Sequence, residues 1–428
     1  MTAIDGFPVV GPSALSEPTF DFGPAIGLVC RECAAEYGLG AAYACMECFG
    51  PLEVRYQFGT VTREQIEAGP ASLWRYSALL PVSANAVNEL NLAPGCTRLL
   101  RSDNLAGELG IKTLWIKDDS GNPTHSFKDR VVAVAQSAAR RLGLGTLACA
   151  STGNLAHAVA AAAARAGQHS VVIIPHDLED GKTVTTATYG GDLLAVEGNY
   201  DDVNRLCGEL IGDPLTNDWG FVNVNLRPYY AEGSKTVGFE IAEQLGWRLP
   251  EQVVIPVASG ALLVKVDKAF RELIELGLVA DTPYRIFGAQ AEGCSPVYQA
   301  LEAGYDVVRP VKPNTIAKSL AIGNPADGPY ALDVVRRTNG SIGCVSDPAI
   351  VDGIRLLART EGVFAETAGG VVVASLQQLL ANGRLDPNAE TVILNTGDGL
   401  KTLDAVIDQV GPTATIRPSV EEVRKVLA

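Results

Sequence analysis

The sequence is short of basic residues: 34 Lys and Arg stand against 49 Asp and Glu in 428 residues, a net charge of −15. A protein that binds nucleic acid or an anionic membrane needs a basic face, so this balance argues against both classes of partner. Long apolar runs are also absent, since no stretch approaches the ~18 uninterrupted apolar residues of a membrane-spanning helix. An anionic substrate would therefore have to be held by a few local cations.

Cysteine is scarce as well. Nine cysteines are too few for a disulfide scaffold, and their odd number fits a reducing compartment. No basic residue precedes Arg31, so the charged start of a signal peptide is missing. The sequence therefore predicts a cytoplasmic protein. Its 47% hydrophobic residues can build a large core, and at ~150 residues per domain the length predicts two or three domains.

The first 48 residues contain two separate features. Residues 1–29 are rich in Pro and Gly, which predicts an extended arm without a core of its own, lying on its own chain or on a second subunit. Two Cys-x2-Cys pairs follow, Cys30 with Cys33 and Cys45 with Cys48, and together they could present four thiolates to a structural Zn²⁺. Reduced packing cysteines are the alternative. Four cysteine ligands would leave no open position for catalysis, and we expect no further ribbon strand after Pro51.

From about residue 95 onward, short β-rich runs alternate with helical patterns. Most of the runs are continuously apolar, as in parallel strands that are buried on both faces. This alternation predicts βαβ units and a doubly wound α/β fold. Strands are predicted at 113–117, 146–150, 170–175, 193–197, 220–223, 252–256, 284–289 and 391–395. Helices are predicted at 127–142, 155–166, 236–245, 262–276, 350–361, 370–380 and 419–427.

The most informative segment follows the strand that ends at Lys117. It reads Asn-Pro-Thr-His-Ser-Phe-Lys-Asp-Arg, and Ser126 could cap a helix that begins near Phe127. Lys128 would then lie in the first helical turn, where the positive end of the helix opposes a second positive charge. A lysine whose charge is easily removed suits a Schiff base, whereas a solvated surface lysine is the alternative.

Three further segments also follow predicted strands. Ser151, Thr152 and Gly153 begin a helix and could bind an anion, and Asn154 adds a neutral amide. The small residues at 258–261 would let the backbone approach a second anion, and glycines at 397 and 399 could aim Thr396 into a cleft. Ligands of doubly wound folds bind at the carboxyl ends of strands. An imine-forming lysine, two anion sites and a neutral hydroxyl suit pyridoxal phosphate with an amino-acid substrate.

The lysine segment resembles the NPTGSFKDR motif of the fold-type II pyridoxal-phosphate enzymes, most of all that of the threonine synthases. The likeness runs from about residue 95 to 404 and includes Ser-Thr-Gly-Asn at 151–154, the 225–236 segment and Thr-Gly-Asp-Gly-Leu-Lys at 396–401. The N-terminal Cys-x2-Cys pair is also similar to one in many threonine synthases. The resemblance implies two doubly wound parallel-sheet domains with the cofactor in the cleft between them. We expect a large domain at 86–129 and 227–411, a small domain at 130–226, an N-terminal extension at 1–85 with the cysteine segment, and a tail helix within 412–428.

The resemblance also implies a role for each matching residue. Lys128 would bind the cofactor covalently and move the protons. Asn154 would contact the phenolic oxygen of the cofactor, and Thr396 its pyridine nitrogen. The remaining residues fall into three groups: Ala258, Ser259, Gly260, Ala261 and Leu262 for the cofactor phosphate; Ser151, Thr152 and Gly153 for the substrate carboxylate; and Lys117, Asn225, Arg227 and Lys235 for the substrate phosphate. Ser126 would lie near the bound substrate.

The implied reaction converts O-phospho-L-homoserine and water to L-threonine and phosphate. The expected partner is this small-molecule substrate, with no nucleic acid and no membrane. A homodimer is a further possibility that the sequence leaves open. His125 stands where the family usually has glycine, so this turn could differ in its backbone angle. A Ser/Thr dehydratase or a cysteate-synthase-like β-replacing enzyme would need the same lysine. From another class, a catalytically inactive cofactor-binding protein would keep the fold without turnover.

Overall fold

Three β-sheets organise the chain in a computed structural model that describes residues 21–42, 44–83, 85–86, 93–151, 153–176, 180–198 and 200–427. The described strands are β1 Ala25–Cys30, β2 Glu36–Tyr37, β3 Leu52–Tyr56, β4 Arg98–Arg101, β5 Leu114–Asp118, β6 Thr146–Ala150, β7 His169–Pro175, β8 Asp192–Val196, β9 Trp219–Phe221, β10 Gln252–Pro256, β11 Arg285–Ala291, β12 Ile342–Val345 and β13 Thr391–Asn395.

The described α-helices are α1 Arg63–Glu67, α2 Asp103–Leu109, α3 Lys128–Arg141, α4 Asn154–Ala166, α5 Asp180–Ala187, α6 Tyr200–Leu210, α7 Arg227–Glu232, α8 Lys235–Gln244, α9 Ala261–Glu275, α10 Pro296–Glu302, α11 Gly328–Arg337, α12 Asp347–Glu361, α13 Thr367–Ala381 and α14 Val420–Leu427. None of these helices combines the length and the apolar character that crossing a membrane would need.

The largest sheet has six strands in the order β12-β11-β10-β13-β5-β4, and only β4 runs antiparallel to its neighbour. Its central strands are buried on both faces. Along β10, Val253 and Ile255 join one hydrophobic core, and Val254 between them joins the core on the opposite face. Helices cover both faces, as a doubly wound parallel sheet requires. The second parallel sheet has the order β8-β7-β6-β9, so the predicted fold class is confirmed.

Sequence and structure agree closely on the ends of the main helices. Helix α3 buries Val131, Val134 and Ala138 and ends before Gly143, whose φ of +72° suits a glycine cap. Short strands were harder to predict: β4 and β12 were missed because four residues give too little pattern to recognise. The domain boundaries inferred from the sequence stay a prediction.

The N-terminal region differs from the expectation in two ways. The prediction of no ribbon strand after Pro51 was wrong, because β3 begins at Leu52 and pairs antiparallel with β1 in the order β2-β1-β3. The prediction of a coreless arm was also wrong for its last part, since Phe22 and Leu28 are buried in the main core. Residues 1–20 lie outside the described part of the chain.

Candidate active site

The lysine segment and the end of strand β13 meet directly. A β-bridge joins Ser126 to Gly397, and the Phe127 N–H donates to the Thr396 carbonyl at 2.9 Å. Two segments that are about 270 residues apart in the chain therefore form one wall of the candidate site. Lys128 and Thr396 lie on these two paired segments. His125 has a φ of +61°, the left-handed conformation that glycine adopts most easily, so the imidazole stands at a backbone angle that favours glycine.

Lys128 is the first residue of helix α3, as the sequence predicted, and its side chain is half-buried. Its Nζ donates to the hydroxyl of Tyr230 at 3.2 Å and lies 5.0 Å from the centre of the Phe127 ring. No carboxylate among the described residues lies within salt-bridge distance of this amine. The amine therefore contacts the phenol of Tyr230 and the ring of Phe127.

One carboxylate connects two of the predicted cofactor contacts. Glu366 accepts from Asn154 Nδ2 at 2.8 Å and, through its other oxygen, from Thr396 Oγ1 at 3.0 Å. Burial raises the pKa of Glu366, and the two hydrogen bonds oppose that effect. Gly397 leaves room for the carboxylate, since a Cβ there would lie 2.6 Å from Glu366 Cδ. The arrangement fixes the amide and the hydroxyl relative to each other.

Further titratable groups lie behind this wall. Lys401 Nζ is 3.0 Å from His157 Nδ1, and burial lowers the pKa of Lys401. Burial also raises the pKa of Asp129 to about 6, although the carboxylate accepts from the backbone and the hydroxyl of Thr124. Shifted groups of this kind cluster at functional sites, so their presence agrees with the position of Lys128.

The loop after β10 has the form of an anion cradle. Gly260 is left-handed with φ +94°, and a Cβ there would lie 2.7 Å from the Asp327 carbonyl oxygen, so the position requires glycine. Helix α9 starts at the next residue, Ala261, whose N–H donates to Ser259 Oγ at 3.4 Å. The N–H groups of a first helical turn lack acceptors within the helix and can bind a phosphate. The loop has few glycines, but one stands where the backbone needs it.

The predicted carboxylate site is described in part. Helix α4 begins at Asn154, and the Gly153 N–H donates to Ser151 Oγ at 3.4 Å. Thr152 lies outside the described residues. Ser126 is fully buried, and its Oγ accepts from the Lys128 N–H at 3.4 Å although Phe127 is the residue that caps the helix.

Two of the predicted substrate-phosphate residues are buried and paired with carboxylates. Lys117 is 1% exposed, and its amine donates to Glu240 at 2.6 Å and to Gln244 at 2.8 Å. Lys235 is fully buried and forms ion pairs with Glu232 and Glu272. Both lysines were predicted to bind the substrate because no sequence pattern reveals their buried acidic partners. The prediction for Lys117 and Lys235 was therefore wrong: their ion pairs stabilise the core.

Of the other two predicted phosphate ligands, Arg227 is linked to the cradle. Arg227 forms an ion pair with Asp327, the residue that packs against Gly260. Asn225 is buried; its Nδ2 donates to the Trp219 carbonyl at 3.2 Å, and its Oδ1 has no partner among the described residues.

The two Cys-x2-Cys pairs are brought together. The sulfur atoms of Cys30, Cys33, Cys45 and Cys48 all lie within 4.8 Å of one another. Cys30 Sγ is 3.4 Å from Cys48 Sγ, and Cys33 Sγ is 3.5 Å from Cys45 Sγ. Four convergent sulfurs are a suitable ligand set for tetrahedral Zn²⁺.

Sequence reasoning missed Tyr230 and Glu366. Tyr230 lies in helix α7, and Glu366 precedes the apolar helix α13, where an acidic residue is common because it faces the positive end of the helix. Nothing in either local pattern distinguishes these residues from structural ones. Only the contact with Lys128 Nζ and the bridge between Asn154 and Thr396 reveal them.

Comparisons with known proteins match most of the chain. A family model described as pyridoxal-phosphate dependent enzyme matches residues 90–397. The threonine synthase of Methanocaldococcus jannaschii is 35% identical over 384 residues, which cover 88% of this chain and 93% of that protein. The threonine synthase of Methanosarcina acetivorans is 35% identical over 405 residues, which cover 94% and 98%.

Solved structures resemble the fold. Diaminopropionate ammonia lyase from Escherichia coli superposes with a TM-score of 0.62 at 19% identity, over 82% of this chain and 94% of that one. Maize serine racemase gives 0.60 at 20% identity, over 79% and 95%. At this level of identity the two structures indicate the fold alone.

Proposed function

The chain belongs to the threonine synthases, within the pyridoxal-phosphate-dependent enzymes, and we propose that it converts O-phospho-L-homoserine and water to L-threonine and phosphate. The observation that carries the proposal is the backbone pairing of the segment before Lys128 with the Thr396 segment, which brings a half-buried amine and a hydroxyl to one strand edge. In this reaction the Cγ–O bond breaks, Cγ gains a hydrogen and Cβ gains a hydroxyl from water.

The residues fit pyridoxal phosphate. Lys128 supplies the amine for covalent attachment, and the 258–262 loop, left-handed at Gly260, supplies backbone N–H groups for the phosphate. Asn154 and Thr396 supply an amide and a neutral hydroxyl for the ring substituents. When bound, the cofactor stores the electron pair that is left when a proton leaves the amino acid.

Lys128 moves the protons. As a free amine it takes a proton from Cα and, once that proton has been released, another from Cβ; one proton is delivered to Cγ and one is returned to Cα at the end. The Tyr230 hydroxyl, 3.2 Å from Nζ, holds the amine in one direction between these transfers.

Glu366 positions the residues that would contact the cofactor ring. By accepting from both Asn154 and Thr396, it holds the amide and the hydroxyl in fixed orientations before the cofactor arrives. Preorganised polar groups of this kind cost no rearrangement during the reaction.

We propose that Ser151, Thr152 and Gly153 at the start of α4 bind the substrate carboxylate. Arg227 and Asn225 remain as the proposed ligands of the substrate phosphate. The exposed fifth of the Arg227 side chain and the second N–H of the Asn225 amide, whose Nδ2 donates once to the Trp219 carbonyl, support this assignment.

We also propose that the four cysteines hold one structural Zn²⁺. Their sulfurs already converge within 4.8 Å, so binding needs little rearrangement. A cytoplasmic location agrees with nine free thiols. A homodimer stays a proposal on sequence grounds.

Product analysis tests the reaction. The purified protein is mixed with pyridoxal phosphate and O-phospho-L-homoserine, and amino acids, 2-oxo acids and phosphate are measured over time. Equal amounts of threonine and phosphate are expected. Phosphate with 2-oxobutanoate would instead indicate elimination without productive water addition. Turnover of phosphoserine but not of phosphohomoserine would indicate a β-replacing enzyme.

A further inference from the structure

The cysteine segment, Cys30–Cys48, contacts the start of helix α11 through two residues that lie between its first two cysteines. Arg31 Nη1 is 3.6 Å from Asp327 Oδ1, and its guanidinium lies 3.5 Å from the centre of the Tyr330 ring. Glu32 accepts a hydrogen bond from the Tyr330 hydroxyl. Both contacts lie at the start of helix α11, so the segment is joined to that helix by charge as well as by packing.

Asp327 is in turn part of the proposed phosphate cradle. Its N–H donates to the Ser259 carbonyl at 2.8 Å, and its own carbonyl packs against Gly260. The carboxylate of Asp327 is 8% exposed and carries Arg31 on one oxygen and Arg227 on the other. Two guanidinium groups therefore lie one residue away from the loop that would bind a phosphate.

Arg227 links this pair to the catalytic lysine. Arg227 and Tyr230 are three residues apart on α7, so they share a face of the helix, and Tyr230 contacts Lys128. Arg31 thus lies within a continuous set of contacts that runs from the cysteine segment through Asp327 and Arg227 to Lys128.

We propose that Arg31 binds a phosphate monoester in the active site together with Arg227, and that metal in the four-cysteine cluster holds Arg31 there. This inference rests on the proposed function and deepens it. The chemistry required is that of a dianionic phosphate, which belongs either to the cofactor or to the substrate.

Charge supports the assignment. In a protein of net charge −15, phosphate must be held by local cations, and Lys117 and Lys235 are committed to buried carboxylates. Among the described residues, no acceptor lies within hydrogen-bond distance of the Arg31 guanidinium. A guanidinium offers five N–H donors in a planar fork that suits phosphate. About a fifth of the Arg31 side chain is exposed, so an anion can reach it.

The cysteine cluster is placed to control this residue. Arg31 lies between Cys30 and Cys33, and its own N–H donates to the Pro51 carbonyl at 3.1 Å. A metal ion bound by both cysteines would fix the two ends of this short turn. The position of the guanidinium, rather than its charge, would then depend on the metal.

The test compares Arg31→Ala with Arg55→Ala in the holoenzyme. Arg55 is an exposed arginine of the same N-terminal sheet and pairs only with Glu36 among the described residues, so it is a matched control. Two dissociation constants are measured. Calorimetry gives the one for inorganic phosphate binding to the holoenzyme, and absorbance gives the one for pyridoxal phosphate binding to the apoenzyme. Zinc content is measured on every variant.

Because a charge-assisted contact is lost, Arg31→Ala should raise one of these two dissociation constants about tenfold. Arg55→Ala should leave both unchanged. Weaker phosphate binding with unchanged cofactor binding identifies the substrate phosphate, and the KM for phosphohomoserine should rise with little change in kcat. Weaker cofactor binding identifies the cofactor phosphate. Unchanged values for both constants would overturn the proposal.

Two further samples keep the test decisive. Arg31→Lys preserves the charge but not the planar fork, and it should give intermediate affinity; it replaces Arg31→Ala if that variant loses its zinc. Chelation of zinc from the wild-type holoenzyme should weaken phosphate binding as Arg31→Ala does, and unchanged binding would overturn the role of the cluster. Neither phosphate nor cofactor binding requires turnover, so failure to form threonine would count against the proposed reaction alone.

Discussion

At the scale of single residues, Lys128 combines a helix start with a neutral hydrogen-bond partner. Its amine faces the Tyr230 hydroxyl and an aromatic ring, and among the described residues no carboxylate lies within salt-bridge distance of it. Such a group can alternate between covalent attachment and proton transfer.

Replacing Lys128 by Ala removes the amine that would do both. Threonine formation should fall by at least about 10³-fold, since a nucleophile and a general base are lost together. After borohydride treatment, the wild-type protein should carry the mass of the reduced cofactor on the peptide that contains Lys128. Lys128→Ala should carry none, and a cofactor mass on any other lysine would contradict the assignment.

Glu366 gives a second prediction. Glu366→Ala leaves Asn154 and Thr396 without their shared acceptor, so cofactor affinity should fall about tenfold, as expected for a lost charge-assisted bond. Glu366→Gln retains one carbonyl acceptor and should recover part of that loss. Equilibrium titration of the apoenzyme with pyridoxal phosphate measures both.

The control for Glu366 is Glu302→Ala, at an exposed position in α10. It should bind the cofactor as the wild type does. Wild-type cofactor affinity in Glu366→Ala would show that the bridging carboxylate does not position the site.

At the scale of elements, a buried charge cluster joins α3 to α8. Glu240 accepts from Lys117 and twice from Arg130, and Arg130 also pairs with Asp119. These groups come from β5, the turn after it, α3 and α8. The cluster therefore locks the helix that begins with Lys128 against the six-stranded sheet.

Changing Glu240 to Gln would leave two buried cations with one carboxylate. The free energy of unfolding should fall by about 3–5 kcal/mol, as is typical for a broken buried pair. Urea unfolding followed by circular dichroism measures the loss. Glu36→Gln, at an exposed pair, should change stability by less than about 1 kcal/mol. An equal effect of the two substitutions would contradict the role of the cluster.

The strands show which parts of the fold can be predicted from the sequence. Strands β6, β10 and β13 were predicted with their correct ends, because an unbroken apolar run between turn residues is a strong signal. The location of Lys128 and Thr396 at one edge followed from the rule that ligands bind at strand ends. Lys117 was misassigned because its burial depends on Glu240, which lies 123 residues away. No local pattern carries that information.

At the scale of the whole molecule, buried carboxylates predict the response to acid. Although burial opposes ionisation, Arg130 and Lys117 hold the pKa of Glu240 at about 2, and lysines hold the pKa values of Glu53 and Glu232 below their usual range. These three groups therefore favour the folded state above about pH 4.3 and lose that contribution as pH falls through their folded pKa values.

The free energy of unfolding should accordingly fall steeply between about pH 4 and pH 2. Urea titrations at successive pH values measure it, and a flat profile through this range would contradict the ionised pairs. Because protonation of Glu240 removes the group that Glu240→Gln lacks, the difference between that variant and the wild type should shrink over the same range.

The most direct test of the central claim is the fate of oxygen from solvent. The enzyme is supplied with pyridoxal phosphate and O-phospho-L-homoserine in H₂¹⁸O, and both products are analysed by mass spectrometry. Cleavage of the Cγ–O bond with water added at Cβ predicts ¹⁸O in the threonine hydroxyl and none in the phosphate at the time of release. Homoserine accompanied by ¹⁸O-labelled phosphate would instead mean that the P–O bond is hydrolysed, and it would contradict the proposed role of Lys128 and its surrounding site.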